Sequence, residues 1–309
     1  MGKSNLFVNN TPVLLIIFNR PYTTQLVFDE IKKAKPKKLY VAADGPRFGN
    51  KADETNCKLT RDIIQQVDWD CDLQTRFLDN NVGCGPGPSS AISWVFEQED
   101  RAIILEDDCV PVQPFFSYCD QLLEKYKDDS RIWLVSGNNY SEEFQVNDYS
   151  YFFSLYGHSW GWATWKRCWN HFNLEIKNWP AFRENKRMFD VFPTKKEATF
   201  FHKIFDRIYN DKTTLSHIWD FQFGFSIRSN GGLCIVPRKN LVKNIGYLGT
   251  HSEIKNDFHD RDTDDLFEIV KHPRFVLVSG DYDRHHFKHH WMKMGRKSFL
   301  KRVIKKLVK

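Results

Sequence analysis

Short apolar runs alternate with helically spaced segments through the first third of the chain. Val13-Leu14-Leu15-Ile16-Ile17-Phe18 has no polar break, the pattern of a strand covered on both faces in a parallel sheet. Residues 22–34, opened by Pro21, carry Leu26, Val27 and Ile31 at helical spacing, and residues 38–43 form the next apolar run. The same cycle predicts a helix over 55–67, a strand over 73–78, a helix over 89–97 and a strand over 102–105. Alternation at this length specifies an α/β fold, a doubly wound and mostly parallel sheet with helices on both faces. Ligands of such sheets bind beyond the carboxyl ends of the strands.

Three polar clusters occupy that rim: Asn19-Arg20, Asp44-Gly45 and Glu106-Asp107-Asp108. The last is unusual, because Ala102-Ile103-Ile104-Leu105 runs straight into three adjacent carboxylates. Such charges repel one another and are costly to desolvate without a compensating cation. Three hard oxygen donors at a ligand edge suit Mg²⁺ or Mn²⁺, held by few protein groups and completed by phosphate and water. The competing assignment is an acidic cap for the helix after Pro114, although a cap needs only one acid.

The second half is strongly aromatic, and Gly157-His158-Ser159-Trp160-Gly161-Trp162-Ala163-Thr164-Trp165 places three tryptophans in six positions. Indole faces on a glycine-containing turn suit sugar rings or bases; packing in the core is the alternative. Gly83-Cys84-Gly85-Pro86-Gly87-Pro88-Ser89-Ser90 reads either as a backbone approach to phosphate, with Ser89 capping the next helix, or as a plain tight connection.

In order, Asn19-Arg20-Pro21 after an apolar strand, Asp44-Gly45, Leu105-Glu106-Asp107-Asp108 with Val110-Pro111 and Phe115-Phe116, Trp160-Gly161-Trp162, Ile218-Trp219-Asp220, and Cys234-Ile235-Val236-Pro237 through Asn244-Ile245-Gly246 resemble the GT-A nucleotide-sugar glycosyltransferases. The likeness is to the N-acetylglucosaminyltransferase I type and to bacterial haemolysin-like or nucleotide-diphospho-sugar transferase proteins, over roughly residues 11 to 252. The resemblance implies a single GT-A domain over residues 1–292, with a nucleotide-sugar half at 11–140 and an acceptor half at 141–292. It implies a manganese or magnesium ion on Asp108, with His251 as an additional ligand. Arg20, Asp44, Gly45, Glu106, Asp107, Asn244 and Thr250 would hold a nucleotide-sugar donor, a UDP-sugar foremost. Trp160, Gly161, Trp162 and Trp219 would flank the donor and acceptor, and Asp220 would be the base of an inverting transfer to a glycan or lipid-linked hydroxyl. A departure lies in the Gly83–Ser90 run, which replaces a donor-contacting histidine of the eukaryotic enzymes. Two residue-level alternatives stand beside these roles: Asp220 paired with Arg228 or Arg238, and His251 as an ordinary loop histidine.

Charge changes the picture only at the end of the chain. The 309 residues carry a formal +6, and Arg296, Lys297, Lys301, Arg302, Lys305, Lys306 and Lys309 supply that excess. With Phe299, Leu300, Val303, Ile304, Leu307 and Val308 they make residues 293–309 a basic amphipathic helix, suited to an anionic membrane surface or to docking on its own domain. Basic residues gathered there, and not along a groove, argue against nucleic-acid binding. Met1 to Asn10 is polar and the first apolar run is short, so no signal peptide is expected, and the protein is placed in the cytoplasm, peripheral on the membrane. Its 7 cysteines lack any Cys-x-x-Cys pair, which predicts reduced thiols. His285, His286, His289 and His290 are read as a solvated face with no metal. Two other function classes stay open: a noncatalytic carbohydrate-binding, membrane-associated protein, and another metal-dependent phosphoryl or nucleotidyl transfer enzyme.

Overall fold

The computed structural model describes residues 10–144, 148–211, 213, 217–246 and 261–293. Strands β1 (Val13–Ile17), β2 (Lys38–Ala43), β3 (Asp72–Phe77) and β4 (Arg101–Glu106) are joined by helices α1 (Pro21–Ala34), α2 (Lys51–Asp62) and α3 (Pro86–Gln98). They lie parallel in the order β3-β2-β1-β4, with Leu15 of β1 between Val41 and Leu105. All five residues of β1 are buried, as the unbroken apolar run requires of a strand covered on both faces. Each of its large side chains contributes about 1.5–3 kcal/mol by leaving water.

Two helices start earlier than their apolar spacing indicates. The Asn50 side chain accepts from the Asp53 N–H at 3.1 Å and opens α2 ahead of its apolar residues, while a 3-10 turn over Ile63–Gln66 finishes it. Helix α3 opens on Pro86, where the missing N–H is one that no helix bond would have used.

Beyond β4 come β5 (Cys109–Pro111), α4 (Gln113–Lys125), β6 (Ile132–Ser136), β7 (Tyr151–Ser154), β8 (Trp162–Trp165), β9 (Leu233–Pro237) and β10 (Val242–Asn244). The main sheet reads β3-β2-β1-β4-β8-β6-β9-β7, with β8 antiparallel to both neighbours and β7 antiparallel to β9. The fold is thus a mixed α/β sheet, mostly parallel and flanked by helices, with two reversed strands. Strands β5 and β10 pair separately and set Asn244 opposite Cys109.

Short helices α5 (Lys166–Trp169), α6 (Trp179–Glu184) and α7 (Met188–Val191) precede α8 (Lys195–Asn210), α9 (Asp220–Ser229) and α10 (Gly280–His286), the last continuing into a π-helical turn over Phe287–Trp291. One hydrophobic core surrounds the sheet; a second, largely aromatic, gathers Tyr156, Trp179, Phe201, Phe205, Phe225 and Trp291. The seven cysteines form no disulfide. No helix among the described residues is long and apolar enough to cross a membrane. Residues 294–309, where the basic amphipathic helix was expected, lie outside the described residues.

Helix α10 is tied to β7 by Asp283, whose carboxylate accepts from Ser154 Oγ and from the Leu155 N–H at 2.9 Å. Burial pushes this carboxyl up to about 7, against the hydrogen bonds. A carboxyl raised on folding makes the native state bind the extra proton, so its contribution to stability falls as pH rises from about 4 to 7. Wild type should therefore lose stability relative to Asp283→Asn across that window in chemical denaturation, by about 1.4 kcal/mol for each pH unit. A difference between the two proteins that does not change with pH would show that folding leaves this carboxyl at its ordinary value.

The C-terminal histidines divide into two pairs four residues apart. His285 and His289 stay partly exposed with ring centroids 4.3 Å apart, whereas His286 and His290 are buried. One solvated face, expected for all four, is found for one pair only, because adjacent helical positions lie about 100° apart and the second pair faces the core.

Candidate functional site

Glu106 ends β4, and the chain turns through Asp107 and Asp108 before β5. Asp107 is buried; Glu106 and Asp108 are partly open. They do not cap α4, which begins at Gln113 with Val112 as its N-cap. The cation the cluster calls for is in part Arg20, from the turn after β1. Its guanidinium pairs with Asp107 and, through Nη1, with Asp108 Oδ2 at 2.9 Å. Arg20, expected to hold the nucleotide, braces the carboxylates and also lines the cavity at the carboxyl ends of the strands. Burial opposes its charge, but the two ion pairs outweigh that and hold it above the ordinary arginine range. One guanidinium does not balance three carboxylates. Burial, then Asp108 and Asp107, push Glu106 up to about 8.

The pairing of β5 with β10 places Asn244 Nδ2 3.1 Å from Asp108 Oδ1, and the Ile245 N–H donates to the Asp108 carbonyl at 2.8 Å. Gly246 lies so close that a Cβ there would sit 2.3 Å from Asp108 Oδ2. A side chain here would push this carboxylate away from its Arg20 and Asn244 contacts. The chain's own oxygens at Asp108 and Glu106, hard and in anionic excess, fit Mg²⁺ or Mn²⁺. Thr250 and His251 lie outside the described residues.

These carboxylates open into a cavity of about 510 Å³ at the carboxyl ends of β1, β2 and β4. Asp44 lines it, but its carboxylate is already engaged: Oδ1 accepts from the N–H groups of Gly45 (2.8 Å) and Val82 (2.9 Å), and Oδ2 from Asn81 Nδ2 (2.8 Å) and the Gly83 N–H (3.1 Å). Asp44 thereby shapes the loop after β3, and burial still raises its pKa against those bonds. The glycine–proline run is a tight connection. Pro86 and Pro88 have no N–H, Gly87 donates to Gly83 and Ser89 to Gly85, so α3 has already committed the first-turn donors a phosphate would need. Ser89 does not cap the helix; its hydroxyl donates back to the Gly85 carbonyl at 2.8 Å.

Sequence reasoning missed Arg47, Arg76 and His217, which also line the cavity. Arg47 pairs with Asp53, taking its carboxyl down to about 2, while Asn19 Nδ2 donates to the same carboxylate at 2.7 Å. Arg76 Nη1 donates to the Ser90 carbonyl at 2.8 Å. Their signal was position: Arg47 follows Asp44-Gly45-Pro46, and Arg76 stands near the end of β3.

Asp220 opens α9 with Trp219 as N-cap. Its side chain is exposed, yet water lost to the surrounding protein raises its pKa against hydrogen bonds from the Phe221 and Asp220 N–H groups. It lies near enough to Glu106 and Cys84 to disfavour their charged forms. Arg228, a candidate partner for it, turns away: Nη1 donates to the Gly224 carbonyl at 2.8 Å and the guanidinium lies 4.8 Å from the Phe201 ring centroid.

The aromatic loop divides. Trp162 is buried in β8 and stacks on the buried Trp219 at 5.5 Å, so both rings direct their faces into the core and neither is open to a sugar. Trp160 is partly exposed. Gly161 has φ +67° and would strike Val242 with any Cβ, which fixes it as the turn leading into β8.

No protein-family model matches the chain, and no curated protein does. Among solved structures it is similar to a mannosyltransferase from Pyrobaculum calidifontis in complex with GDP-Man and Mn²⁺ (12% identity, TM-score 0.37), over 54% of this chain and 48% of that one. The match thus spans about half the mannosyltransferase. It is also similar to a UDP-glucose pyrophosphorylase complexed with UDP-glucose (9%, TM-score 0.34, 74% of this chain and 90% of that one). A third is an inositol-1-phosphate CTP transferase from T. maritima (7%, TM-score 0.38, 74% and 85%). At these TM-scores the superpositions are loose, and the chemistry stands on the residues of the site.

Proposed function

We propose that the chain is a metal-dependent, inverting glycosyltransferase that moves a sugar from a nucleotide-diphosphate donor, a UDP-sugar foremost, to a hydroxyl of a glycan or lipid-linked acceptor. The observation that carries this reading is Asp108, fixed by Arg20, Asn244 and Gly246 at the mouth of a sheet-edge cavity with Asp220 nearby. Asp108 would hold the metal, with Asn244 orienting its carboxylate. A bound Mg²⁺ or Mn²⁺ supplies Lewis-acid stabilisation of the departing diphosphate.

The chain's own groups do the rest. Arg47 and Arg76 line the cavity wall, one paired with Asp53 and the other with the Ser90 carbonyl, and their charge would attract the anionic donor. Asp220 takes the proton of the attacking hydroxyl as its oxygen bonds the anomeric carbon and the bond to the diphosphate breaks. With Asp220 as the base and no second nucleophile assigned among the described residues, the displacement would invert the anomeric centre.

Thermal-shift titration with UDP-, GDP-, CMP- and dTDP-sugars, with and without Mn²⁺, tests the proposal. One nucleotide class should stabilise the chain only with metal, and turnover should release nucleoside diphosphate. Release of pyrophosphate would make it a nucleotidyltransferase. Stabilisation by sugars alone, without nucleotide or metal, would make it a carbohydrate-binding protein.

A further inference from the structure

The second cluster of metal-capable side chains lies away from the carboxylates, where α10 meets the loop between β7 and β8. His286 and His290 stack at 4.8 Å from successive turns, one at the end of α10 and one in the π-helical turn that follows. Such π turns recur at functional positions in helices. His158, from the tryptophan loop, brings Nε2 within 3.1 Å of His286 Nε2. One ring nitrogen from each of the three lies within 4.8 Å of the others, the one such group among the described residues.

We propose that His158, His286 and His290 form a second, nitrogen-ligand metal site that takes Zn²⁺ and clamps the C-terminal helix to the tryptophan loop. Zinc–nitrogen bonds of about 2.0–2.1 Å in a tetrahedral site separate ligand nitrogens by about 3.3–3.4 Å. The His158–His286 pair is already near that spacing, and the His290 nitrogen, within 4.8 Å of the others, would have to close in to complete the site. The cluster contains neither carboxylate nor thiolate, so it selects a borderline cation held by imidazole and rejects the hard Mg²⁺ or Mn²⁺ that suits Asp108. Ser141 Oγ lies 3.3 Å from His286 Nδ1, so with Nδ1–H donating to it, Nε2 keeps its lone pair for the metal. Two cations lie near the cluster: Arg228, and Arg261 held by the Asn139 and Tyr140 carbonyls. Their charge works against any cation here, so the site depends on the nitrogen bonds outweighing that repulsion.

Placement gives the clamp its consequence. Three residues after His158, Gly161 packs on Val242 of β10, the strand that carries Asn244 to Asp108. A metal on the histidines would stiffen that route from the C-terminal helix.

The test uses the full chain, stripped with chelator and titrated with Co²⁺, whose four-coordinate nitrogen complexes absorb strongly in the visible while oxygen-bound octahedral Co²⁺ absorbs weakly. One Co²⁺ per chain should give the strong bands, displaced by one equivalent of Zn²⁺ and retained in Asp108→Ala. His158→Gln and His290→Gln should each weaken binding by at least about 100-fold, since outer-shell changes alone cost about 10- to 100-fold. The double variant His285→Ala/His289→Ala, which removes the exposed pair, should bind as wild type. If the Gln variants do not fold, zinc K-edge absorption on wild type decides, with three imidazoles expected in the first shell. An oxygen-only shell, no strong bands in wild type, or bands that vanish in Asp108→Ala or in the exposed-pair variant would overturn the site.

Discussion

Asp108→Asn lowers kcat/KM with the nucleotide-sugar donor by at least about 10²–10³-fold, the loss that follows removal of one fixed electrostatic stabiliser of a developing anion. The substitution keeps the shape of the side chain and an acceptor oxygen. It also relieves repulsion with Glu106 and Asp107 while taking one partner from Arg20. The variant should therefore fold with a melting temperature close to that of wild type. Its Mn²⁺-dependent thermal shift with donor should disappear together with activity. Retained metal dependence would show that Asp108 is not the ligand and would move the metal to Glu106 or outside the described residues.

Asp220→Asn lowers kcat by about 10²–10⁴-fold, the usual contribution of a general base, and leaves donor affinity unchanged. Asparagine still accepts the first-turn N–H groups of α9, so the helix start is preserved. If Asp220 is the base, its raised pKa should set the lower pH limit of kcat in wild type, because a protonated carboxyl cannot accept the hydroxyl proton. That limb should vanish in the variant. An unchanged kcat, or a loss confined to donor affinity, would remove Asp220 from the role of base.

Different physics made different parts of this protein legible. A parallel strand covered on both faces has to be apolar throughout, so Val13–Ile17, Lys38–Ala43 and Arg101–Glu106 announced themselves as runs, and the rim of ligand-facing polar residues followed from where those runs stopped. Helix starts were less legible, because Asn50 and Pro86 open helices through local hydrogen bonding and fixed φ, several residues ahead of the buried face. The reversed strands β7 and β8 carry no pattern of their own: a buried aromatic strand and an aromatic binding loop are composed of the same residues.

What the sequence by itself determined is the kind of sheet, the edge at which chemistry can occur, and the carboxylate cluster placed there, because strand periodicity and unbalanced charge are local properties. Only the tertiary structure decided which polar groups reach the cavity and what else each of them holds. Asp44 and the first turn of α3 look available in sequence and are consumed by neighbouring backbone, whereas Arg47 and Arg76 look ordinary and reach the cavity. The histidines make the same point: equal spacing gave one pair to solvent and turned the other inward to meet His158, some 130 positions away in the chain. A side chain's hydrogen-bond capacity is divided among whatever the fold brings within reach, and that division is written in distances, not in spacing along the chain.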